Sequence, residues 1–563
     1  MKKVLIIGGV AGGASAAARL RRLDETAEII MFERGEHISF ANCGLPYYIG
    51  GIIPERDHLL VETAEGMSSR FNMDVRVQTE VLSIHTSRKT VSVLDRITGR
   101  TYEESYDYII LSPGANPITP PIPGLDEAEN VFTLRSIPDT DRIMEFIEIQ
   151  QPHKAVVVGG GFIGLEMAEN LHHRGLDVTI VEMLDQVMAP LDYEMAAFVH
   201  NHLREKGVNL ILGDGVQAFK ELGGKIQLQS GKTVASEMTI LSIGVRPEVS
   251  LAKEAGLELG PRGGIKVNPY LQTSDPFIYA IGDAVEVQDF ISQKPALIPL
   301  AGPANKQGRM AADNIAGLGR KYRGTMGTSI AKVFDLQVAS VGNNEKMLKQ
   351  NDMPYEVVHI HSGSHAGYYP GAHDMALKLL FHPTTGQIYG AQGVGQEGVD
   401  KRIDVLATAI FSGLTVRDLQ ELELAYAPPF SSAKDPVNML GFAAANIMDG
   451  ITNHVQWYEI EEIKKEGGIL LDIRSNMERK LDPIDDSIHI PLDELRTRLS
   501  ELPLDKAIYV FCYIGVRGYI AERILKQNGF SAYNLDGGIR TLRAVQGGSS
   551  MGKADDRGFQ IID

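Results

Sequence analysis

Residues 3–33, KVLIIGGVAGGASAAARLRRLDETAEIIMFE, indicate the fold class of the chain. An apolar run leads into a glycine turn, then a helical pattern, then a second apolar run. This order predicts a strand, a turn, a helix and a strand, which is one βαβ unit. Gly8 and Gly13 hold the outer positions of a dinucleotide-binding turn, although Val10 replaces the middle glycine. Glu33 follows Gly13 at the distance of a ribose-binding acidic residue, but a purely structural turn is the alternative.

The same pattern returns at residues 154–182, KAVVVGGGFIGLEMAENLHHRGLDVTIVE. Gly159, Gly161 and Gly164 form GxGxxG between a predicted strand and helix, where the helix N-terminus can receive a pyrophosphate. Glu182 ends the second strand, can bond both ribose hydroxyls and would repel a 2′-phosphate. No arginine lies among residues 183–188 to receive one. The repeat predicts two bound dinucleotides, with NADH favoured over NADPH in the second.

Composition narrows the class of protein. At 563 residues the chain is long enough for about three to five domains. The net charge of −17, from 55 basic and 72 acidic residues, would repel a phosphate backbone, so no nucleic acid partner is expected. No apolar run is long enough to span a membrane, and no metal site is predicted. With only Cys43 and Cys512 the chain has no disulfide scaffold, which fits a reducing cytoplasmic setting.

Two further motifs carry a resemblance to a known family. SPGA at 112–115 and TSDPFIYAIGDA at 273–284, together with the two dinucleotide folds, resemble the pyridine nucleotide disulfide oxidoreductases over about residues 1–445. The resemblance implies FAD on the first unit, with Asp283 toward its ribityl chain, and NADH on the second. The implied FAD contacts are Gly8, Gly12, Gly13, Glu33, Arg34, Ser112, Gly114, Asp283 and Ala301. The implied NADH contacts are Gly159, Gly161, Gly164, Glu182 and Gly244.

Cys43 lies in ISFANCGLPYYIGG, residues 38–51, where Gly44 and Pro46 predict a turn into a helix start. A thiol there is expected to have a lowered pKa, although a small buried core cysteine is the alternative. Dithiol members of the family carry a second cysteine five positions on, where this chain has Tyr48. A lone thiol leaves two chemistries open: a mixed disulfide with a substrate thiol, or a sulfenic acid.

Residues 39–47, SFANCGLPY, resemble the coenzyme A disulfide reductase branch, which includes NADH-dependent persulfide reductases. The resemblance implies coenzyme A as the mixed-disulfide partner, either as substrate or as bound carrier. Arg19 and Arg22 would face the same way on one helix and could hold its phosphates, unless they form only a solvated basic face. Phe71 stands where a relative has a lysine contact. The implied coenzyme A contacts are Ser15, Arg19, Arg22, Ser39, Asn42 and Lys434.

Two later segments, HAGYYPGA at 365–372 and YAPPFSSAKDPVN at 426–438, resemble the family's interface segments and imply a homodimer. Tyr368 and Tyr426 would then be phenols able to protonate a departing thiolate, and buried structural tyrosines are the alternative. Lys434 could equally be a surface lysine.

The last hundred residues resemble single-domain rhodaneses. The resemblance rests on LLDIR at 470–474, IHIPL at 488–492, CYIGVR at 512–517 and NLDGG at 534–538. The loop from Cys512 to Arg517 could aim several N–H groups at one anionic sulfur. Its six residues suit a persulfide, whereas related phosphatases use one more. A buried cysteine at the end of a strand is the alternative.

The predicted fold is α/β, with two Rossmann-like dinucleotide-binding domains, an α+β dimerisation domain and a rhodanese-like α/β domain. The predicted boundaries are 1–150 with 263–325 for the FAD domain, 151–262 for the NADH domain, 326–446 for dimerisation, 447–456 for a linker, and 457–563 for the rhodanese-like domain.

The predicted activity is NADH-dependent reduction of coenzyme A persulfide, polysulfide or coenzyme A disulfide through a disulfide between Cys43 and coenzyme A. Cys512 would receive sulfane sulfur from a donor and deliver it. Two alternatives remain at this point: an NADH oxidase or peroxidase that uses a Cys43 sulfenic acid, and a flavin-based redox sensor or sulfur-trafficking protein.

Overall fold

The computed structural model of the protein describes residues 2–547. Contacts divide these residues into two compact units, one of residues 2–185 with 208–327 and one of residues 186–207 with 328–547. Within residues 2–547, no helix combines the length and the apolar character needed to cross a membrane.

The first unit contains the two predicted nucleotide folds. The helix Ala11–Leu23 follows the central strand of the first sheet and packs on the helix Ala301–Ile315, where a Cβ added to Gly308 would lie 2.3 Å from the Gly12 oxygen. In order across the first sheet, the parallel strands are Ile278–Ala280, Tyr108–Leu111, Lys3–Ile7, Glu28–Phe32 and Asp74–Arg76. The predicted βαβ unit is therefore confirmed.

The second nucleotide fold repeats this arrangement. The helix Phe162–His173 follows the central strand, as predicted. The strands, in order across the sheet, are Asn209–Ile211, Asp177–Val181, Lys154–Val158, Met238–Leu241 and Val131–Phe132. Residues 112–124 contain the strand Ala115–Pro117, which pairs antiparallel with Val245–Pro247.

Smaller elements complete the first unit. Two antiparallel three-stranded sheets consist of Thr79–His85, Thr90–Asp95 and Thr101–Ser105, and of Val216–Lys220, Lys225–Leu228 and Thr233–Ala235. A third small sheet contains Ile265–Lys266, Val285–Gln288 and Pro295–Ala296. The remaining helices are Leu45–Ile49, Ala64–Phe71, Ile137–Gln150 and Ser250–Glu254, with short 3₁₀ segments at Asn42–Gly44, Arg56–Leu59, Glu221–Gly223 and Gly282–Ala284.

The second unit is built on an antiparallel sheet, called here the interface sheet. Its strands, in order, are Ser329–Val333, Leu336–Gly342, Ile388–Gly395, Asp374–Phe381 and Glu356–Gly363, and its helices are Glu345–Gln350, Val399–Ser412, Val416–Leu419 and Pro436–Met448. The helix Tyr193–Glu205 also belongs to this unit by its contacts, although the predicted boundaries place it in the NADH domain. Every residue of this helix from Glu194 to Leu203 is buried, so the helix needs cover on all sides.

The C-terminal part of the second unit is a separate parallel sheet, as predicted. Its strands, in order, are His454–Val455, Ala532–Leu535, Ile508–Phe511, Ile469–Asp472 and Ser487–His489. Its helices are Ile460–Lys465, Asn476–Leu481, Leu492–Leu495, Val516–Gln527 and Gly538–Val545, with 3₁₀ segments at Trp457–Glu459 and Leu499–Glu501. The predicted α/β fold class is confirmed.

Candidate functional site

The first glycine turn has the shape that a dinucleotide requires. Gly8 has a φ of +99°, and a Cβ added to it would lie 2.1 Å from the Ser112 oxygen. A Cβ on Gly13 would lie 1.9 Å from the Gly8 oxygen, so the strand, turn and helix pack too closely for any side chain. The carboxylate of Glu33 accepts a hydrogen bond from Gly9 N at 3.0 Å, which places the acidic residue at the turn. These features fit a bound dinucleotide.

The other predicted FAD contacts follow neighbouring strands of the same sheet. Ser112 follows the strand Tyr108–Leu111 and Asp283 follows Ile278–Ala280, while Arg34 follows Glu28–Phe32 and is exposed. Ala301 begins the helix Ala301–Ile315. Because the carboxyl ends of parallel strands meet at one edge, the fold brings these residues together. Burial raises the pKa of Asp283, and Arg135 opposes that shift.

Arg135, which sequence reasoning missed, supports the turn at Gly114. Its guanidinium donates to the Pro113 oxygen at 3.1 Å and to the side-chain oxygen of Asn116. Gly114 has a φ of +75°, which favours glycine at this position.

The second glycine turn leaves room for a pyrophosphate. A Cβ on Gly164 would lie 2.0 Å from the Gly159 oxygen, whereas one on Gly161 would meet no atom within 4 Å. Glu182 accepts hydrogen bonds from Gly160 N at 2.6 Å and Leu184 N at 2.8 Å. Gly244, with a φ of +115°, follows the neighbouring strand Met238–Leu241. The residues of this turn therefore fit a second dinucleotide.

Cys43 lies in the 3₁₀ segment Asn42–Gly44, immediately before the short helix Leu45–Ile49. Its side chain is exposed, which excludes the buried core cysteine. Partial enclosure of the thiol raises the pKa of Cys43, and the carboxylates of Glu166 and Asp283 raise it further. The predicted lowering of this pKa is wrong for the protein chain, because the helix is one turn long and the neighbouring charges are negative.

Glu166 is a second residue that sequence reasoning missed. It lies on the helix Phe162–His173, and the Tyr47 hydroxyl donates to its carboxylate at 3.4 Å. Desolvation raises the pKa of Glu166 to about 7. Its one sequence signal is an acidic residue among apolar ones directly after GGGFIGL. The second nucleotide fold therefore brings a group that can hold a proton near neutral pH beside the Cys43 segment.

Five of the predicted coenzyme A contacts lie in the first unit, three of them on the helix Ala11–Leu23 and two in the Cys43 segment. On the helix Ala11–Leu23, Arg19 forms an ion pair with Asp313 at 2.7 Å, whereas Arg22 is exposed with its guanidinium 5.9 Å from the centre of the Phe71 ring. Ser15, on the same helix, is 2.5 Å from the side-chain oxygen of Asn305. Ser39 and Asn42 lie in the Cys43 segment, and Ser39 has a positive φ of 46°.

In the second unit, Tyr368 and Tyr426 meet hydroxyl to hydroxyl at 2.9 Å. Both are exposed, at 76% and 48%, so they are not buried structural tyrosines. Phe430, in the same segment as Tyr426, is 71% exposed. Lys434 is also exposed, next to Asp435, which is buried and paired with Arg402 at 3.0 Å. The two predicted interface segments therefore carry exposed aromatic side chains, and the buried ion pair of Arg402 and Asp435 holds the second segment in place.

The C-terminal sheet carries the predicted sulfur loop, residues 512–517. Cys512 directly follows the strand Ile508–Phe511 and is buried, and its Sγ accepts a hydrogen bond from Gly515 N at 3.1 Å. Arg517 donates to both oxygens of Glu478, at 2.8 and 2.6 Å. The loop therefore directs a backbone N–H group at the sulfur of Cys512 and places the Arg517 side chain near the same sulfur. Glu478, which aligns this arginine, was not predicted.

These features define a class: an oxidoreductase with two dinucleotide-binding folds and a lone exposed thiol, joined to a domain with a loop around a buried cysteine. Family models match in the same order: pyridine nucleotide-disulphide oxidoreductase over residues 2–308, its dimerisation domain over 328–436, and a rhodanese-like domain over 457–544. The chain belongs to the pyridine nucleotide-disulphide oxidoreductase family, and it is an enzyme with a rhodanese-like domain.

Individual relatives share most of this organisation. The coenzyme A disulfide reductase of Staphylococcus aureus is 40% identical over 445 residues, which are 79% of this chain and 100% of that protein. The reduced CoADR-RHD of Bacillus anthracis is 58% identical, with a TM-score of 0.96 over 98% of this chain and 99% of that one. An NAD-dependent persulfide reductase from A. fulgidus is 42% identical, with a TM-score of 0.90 over 96% of this chain and 99% of that one.

Proposed function

We propose that this enzyme uses NADH and FAD to reduce coenzyme A persulfide, polysulfide or coenzyme A disulfide. The observation that carries the proposal is the exposed thiol of Cys43, which has no second cysteine nearby in a chain with two cysteines. The thiol lies close enough to Asp283 for this carboxylate to raise the pKa of Cys43. Asp283 lies at the carboxyl edge of the first nucleotide sheet. The activities named for the relatives support the same chemistry.

The chain's own residues would hold both dinucleotides. Gly8, Gly13 and Glu33 would hold FAD, whereas Gly159, Gly164 and Glu182 would hold NADH. When bound, FAD would accept a hydride from NADH and supply two electrons to a disulfide at Cys43. Glu182 would favour NADH, because its carboxylate would repel a 2′-phosphate.

Cys43 would act as the nucleophile. Its thiolate would attack the sulfur of coenzyme A persulfide that is bonded to carbon, forming the disulfide Cys43–S–S–coenzyme A and releasing hydrosulfide. Two electrons and a proton would then return the Cys43 thiolate and free coenzyme A thiol. Glu166 could supply that proton, since its pKa of about 7 keeps a fraction protonated at neutral pH.

The rhodanese-like domain would supply sulfane sulfur. Cys512 would take it as a persulfide, which Gly515 N and Arg517 would stabilise, and coenzyme A would carry it to Cys43. The enzyme would work as a homodimer in the cytoplasm, with Tyr368 and Tyr426 at the subunit interface, as the match to a dimerisation domain supports.

The test of the reductase is the Cys43→Ser variant under anaerobic conditions. We expect it to lose NADH oxidation driven by coenzyme A persulfide while it binds flavin that NADH still reduces. Persulfide turnover by this variant would contradict the assignment. In the wild type, faster NADH oxidation with oxygen or peroxide than with coenzyme A persulfide would favour the oxidase or peroxidase, and a spectral change without sustained turnover would favour a sensor.

A further inference from the structure

A buried histidine joins the interface sheet to the rhodanese-like domain within the second unit. His359 lies on the strand Glu356–Gly363, and its Nδ1 is 2.7 Å from an Asp536 oxygen. Its Nε2 is 3.0 Å from a Glu194 oxygen, and its backbone N donates to Asp536 at 3.1 Å. All three residues are buried. Burial alone would lower the pKa of His359, but Asp536 and Glu194 raise it to about 9, so both ring nitrogens carry protons at neutral pH.

A buried lysine, Lys378, lies on the neighbouring strand Asp374–Phe381 and binds Glu194, one of the two carboxylates that contact His359. Lys378 Nζ is also 2.9 Å from Asp192 and 2.6 Å from Glu345. Three buried carboxylates so close together would repel one another without this ammonium group. Trp457, at the start of the rhodanese-like domain, donates to the second oxygen of Glu194 at 3.2 Å.

The Asp536 turn, residues 534–538, supports the sulfur loop directly. Beyond this turn, Ile539 N donates to the Cys512 oxygen at 2.9 Å. A Cβ on Gly538 would lie 2.7 Å from that oxygen, and one on Gly537 would lie 3.2 Å from the His359 Cβ. His359 therefore contacts the turn, and the turn contacts the loop that holds Cys512.

We propose that His359 is a positioning residue for the sulfur loop, which it holds in place through the Asp536 turn. This deepens the proposed function and rests on it, since it assumes that Cys512 receives sulfane sulfur. The same contacts join the rhodanese-like domain to the interface sheet.

The first test measures the accessibility of Cys512. In a Cys43→Ser background Cys512 is the single thiol, and its alkylation by iodoacetamide in the flavin-loaded protein can be followed by mass spectrometry. We expect His359→Gln to raise this rate about tenfold or more, because a loosened turn lets the buried loop open. Asp536→Asn should act in the same direction. The matched control is His202→Gln, a buried histidine that lies near Asp335 and Phe334.

The second test uses turnover with Cys43 present. With thiosulfate as donor and coenzyme A as acceptor, His359→Gln should lower kcat while KM changes little, since Cys512 and Arg517 remain. NADH-linked reduction of coenzyme A disulfide should not change. If His359→Gln fails to fold, Trp457→Phe removes one hydrogen bond of the same network and should give a smaller rise in alkylation.

Some outcomes would overturn the proposal. Unchanged alkylation and unchanged kcat in a folded His359→Gln protein would do so, and so would a rise in KM alone. If the wild type transfers no sulfur from any donor, the proposed function of Cys512 is wrong. The alkylation rates then decide separately whether His359 holds the loop.

Discussion

Single residues here take their properties from neighbours that are distant in sequence. The pKa of the Cys43 thiol is raised by its partial enclosure and by Glu166 and Asp283, not lowered as the turn at Gly44 and Pro46 predicts. Under the proposed function, positive charge or hydrogen bonds that come with the bound ligands would favour its thiolate.

Glu166 should control the pH dependence of reduction. Its pKa is raised to about 7 by desolvation, so the carboxyl is protonated below that pH and ionised above it. We expect the kcat for coenzyme A persulfide to fall above about pH 7, and Glu166→Gln to remove this limb. The matched control is Glu169→Gln on the same helix. Because the Glu169 charge helps to raise the pKa of Glu166, this variant should keep the limb and move it to lower pH. If Glu166→Gln has the same pH profile of kcat as the wild type, Glu166 is not the proton donor.

Glu182 should determine the choice of nucleotide. We expect the wild type to prefer NADH over NADPH, and Glu182→Ala to lower kcat/KM for NADH about tenfold through loss of the ribose hydrogen bonds. Asp185→Ala, which removes an exposed carboxylate three residues on, is the control and should keep the preference. Equal wild-type efficiency with both nucleotides would show that the ribose site is assigned wrongly.

At the level of secondary-structure elements, two helices supply side chains to parts of the molecule outside the nucleotide fold in which they lie by sequence. The helix Phe162–His173 starts at the second glycine turn and presents Glu166 to the Cys43 segment. The helix Tyr193–Glu205 lies between strands of the second nucleotide fold in sequence, yet it contributes Glu194 to the buried charges of the second unit. From Glu194 to Leu203 every residue of the second helix is buried, so its polar side chains need partners.

The strand Glu356–Gly363 should make stability depend on pH through His359. The pKa of His359 is raised from 6.5 to about 9 in the folded chain, so its contribution is complete below about pH 6.5 and is lost as pH rises through 9. This corresponds to roughly 3 kcal/mol of unfolding free energy. Glu194, Asp536 and His361 interact with His359 directly. Lys378 pairs with Glu194, Arg540 acts on His361, and His454 acts on Asp536.

Calorimetry of the second-unit transition at pH 6 and pH 9 would measure this effect. We expect the wild type and His202→Gln to lose stability between these two values and His359→Gln to lose less. Equal losses in all three proteins would assign the pH dependence to other groups.

At the scale of the whole molecule, the chain carries two thiols in two compact units, each with its own surroundings. Cys43 is exposed beside carboxylates, whereas Cys512 is buried in a loop that directs an N–H group at its sulfur. This difference suits a nucleophile in one unit and a sulfur acceptor in the other.

Separate roles for the two thiols predict an effect that depends on the donor. Cys512→Ser should spare NADH-linked reduction of preformed coenzyme A persulfide and impair turnover of thiosulfate and other sulfane-sulfur donors, because the reductase residues remain intact. Tyr509→Phe, on the strand Ile508–Phe511 that precedes the sulfur loop, is the control and should keep the reaction with those donors. Equal loss on every substrate would make the domain part of the reductase site, and no loss with any donor would exclude sulfur relay.

The two glycine turns, the order of the domains and both thiols can be recognised from the amino-acid sequence alone. These depend on local constraints: Gly8 has a positive φ, a Cβ on Gly13 would meet the Gly8 oxygen, and alternation of strand and helix patterns is visible in a short window. The surroundings of the two thiols depend on the tertiary structure. Tyr47 and Glu166 are 119 residues apart, and His359 and Asp536 are 177 residues apart. A pKa or a buried ion pair depends on distances in space, which no local pattern encodes.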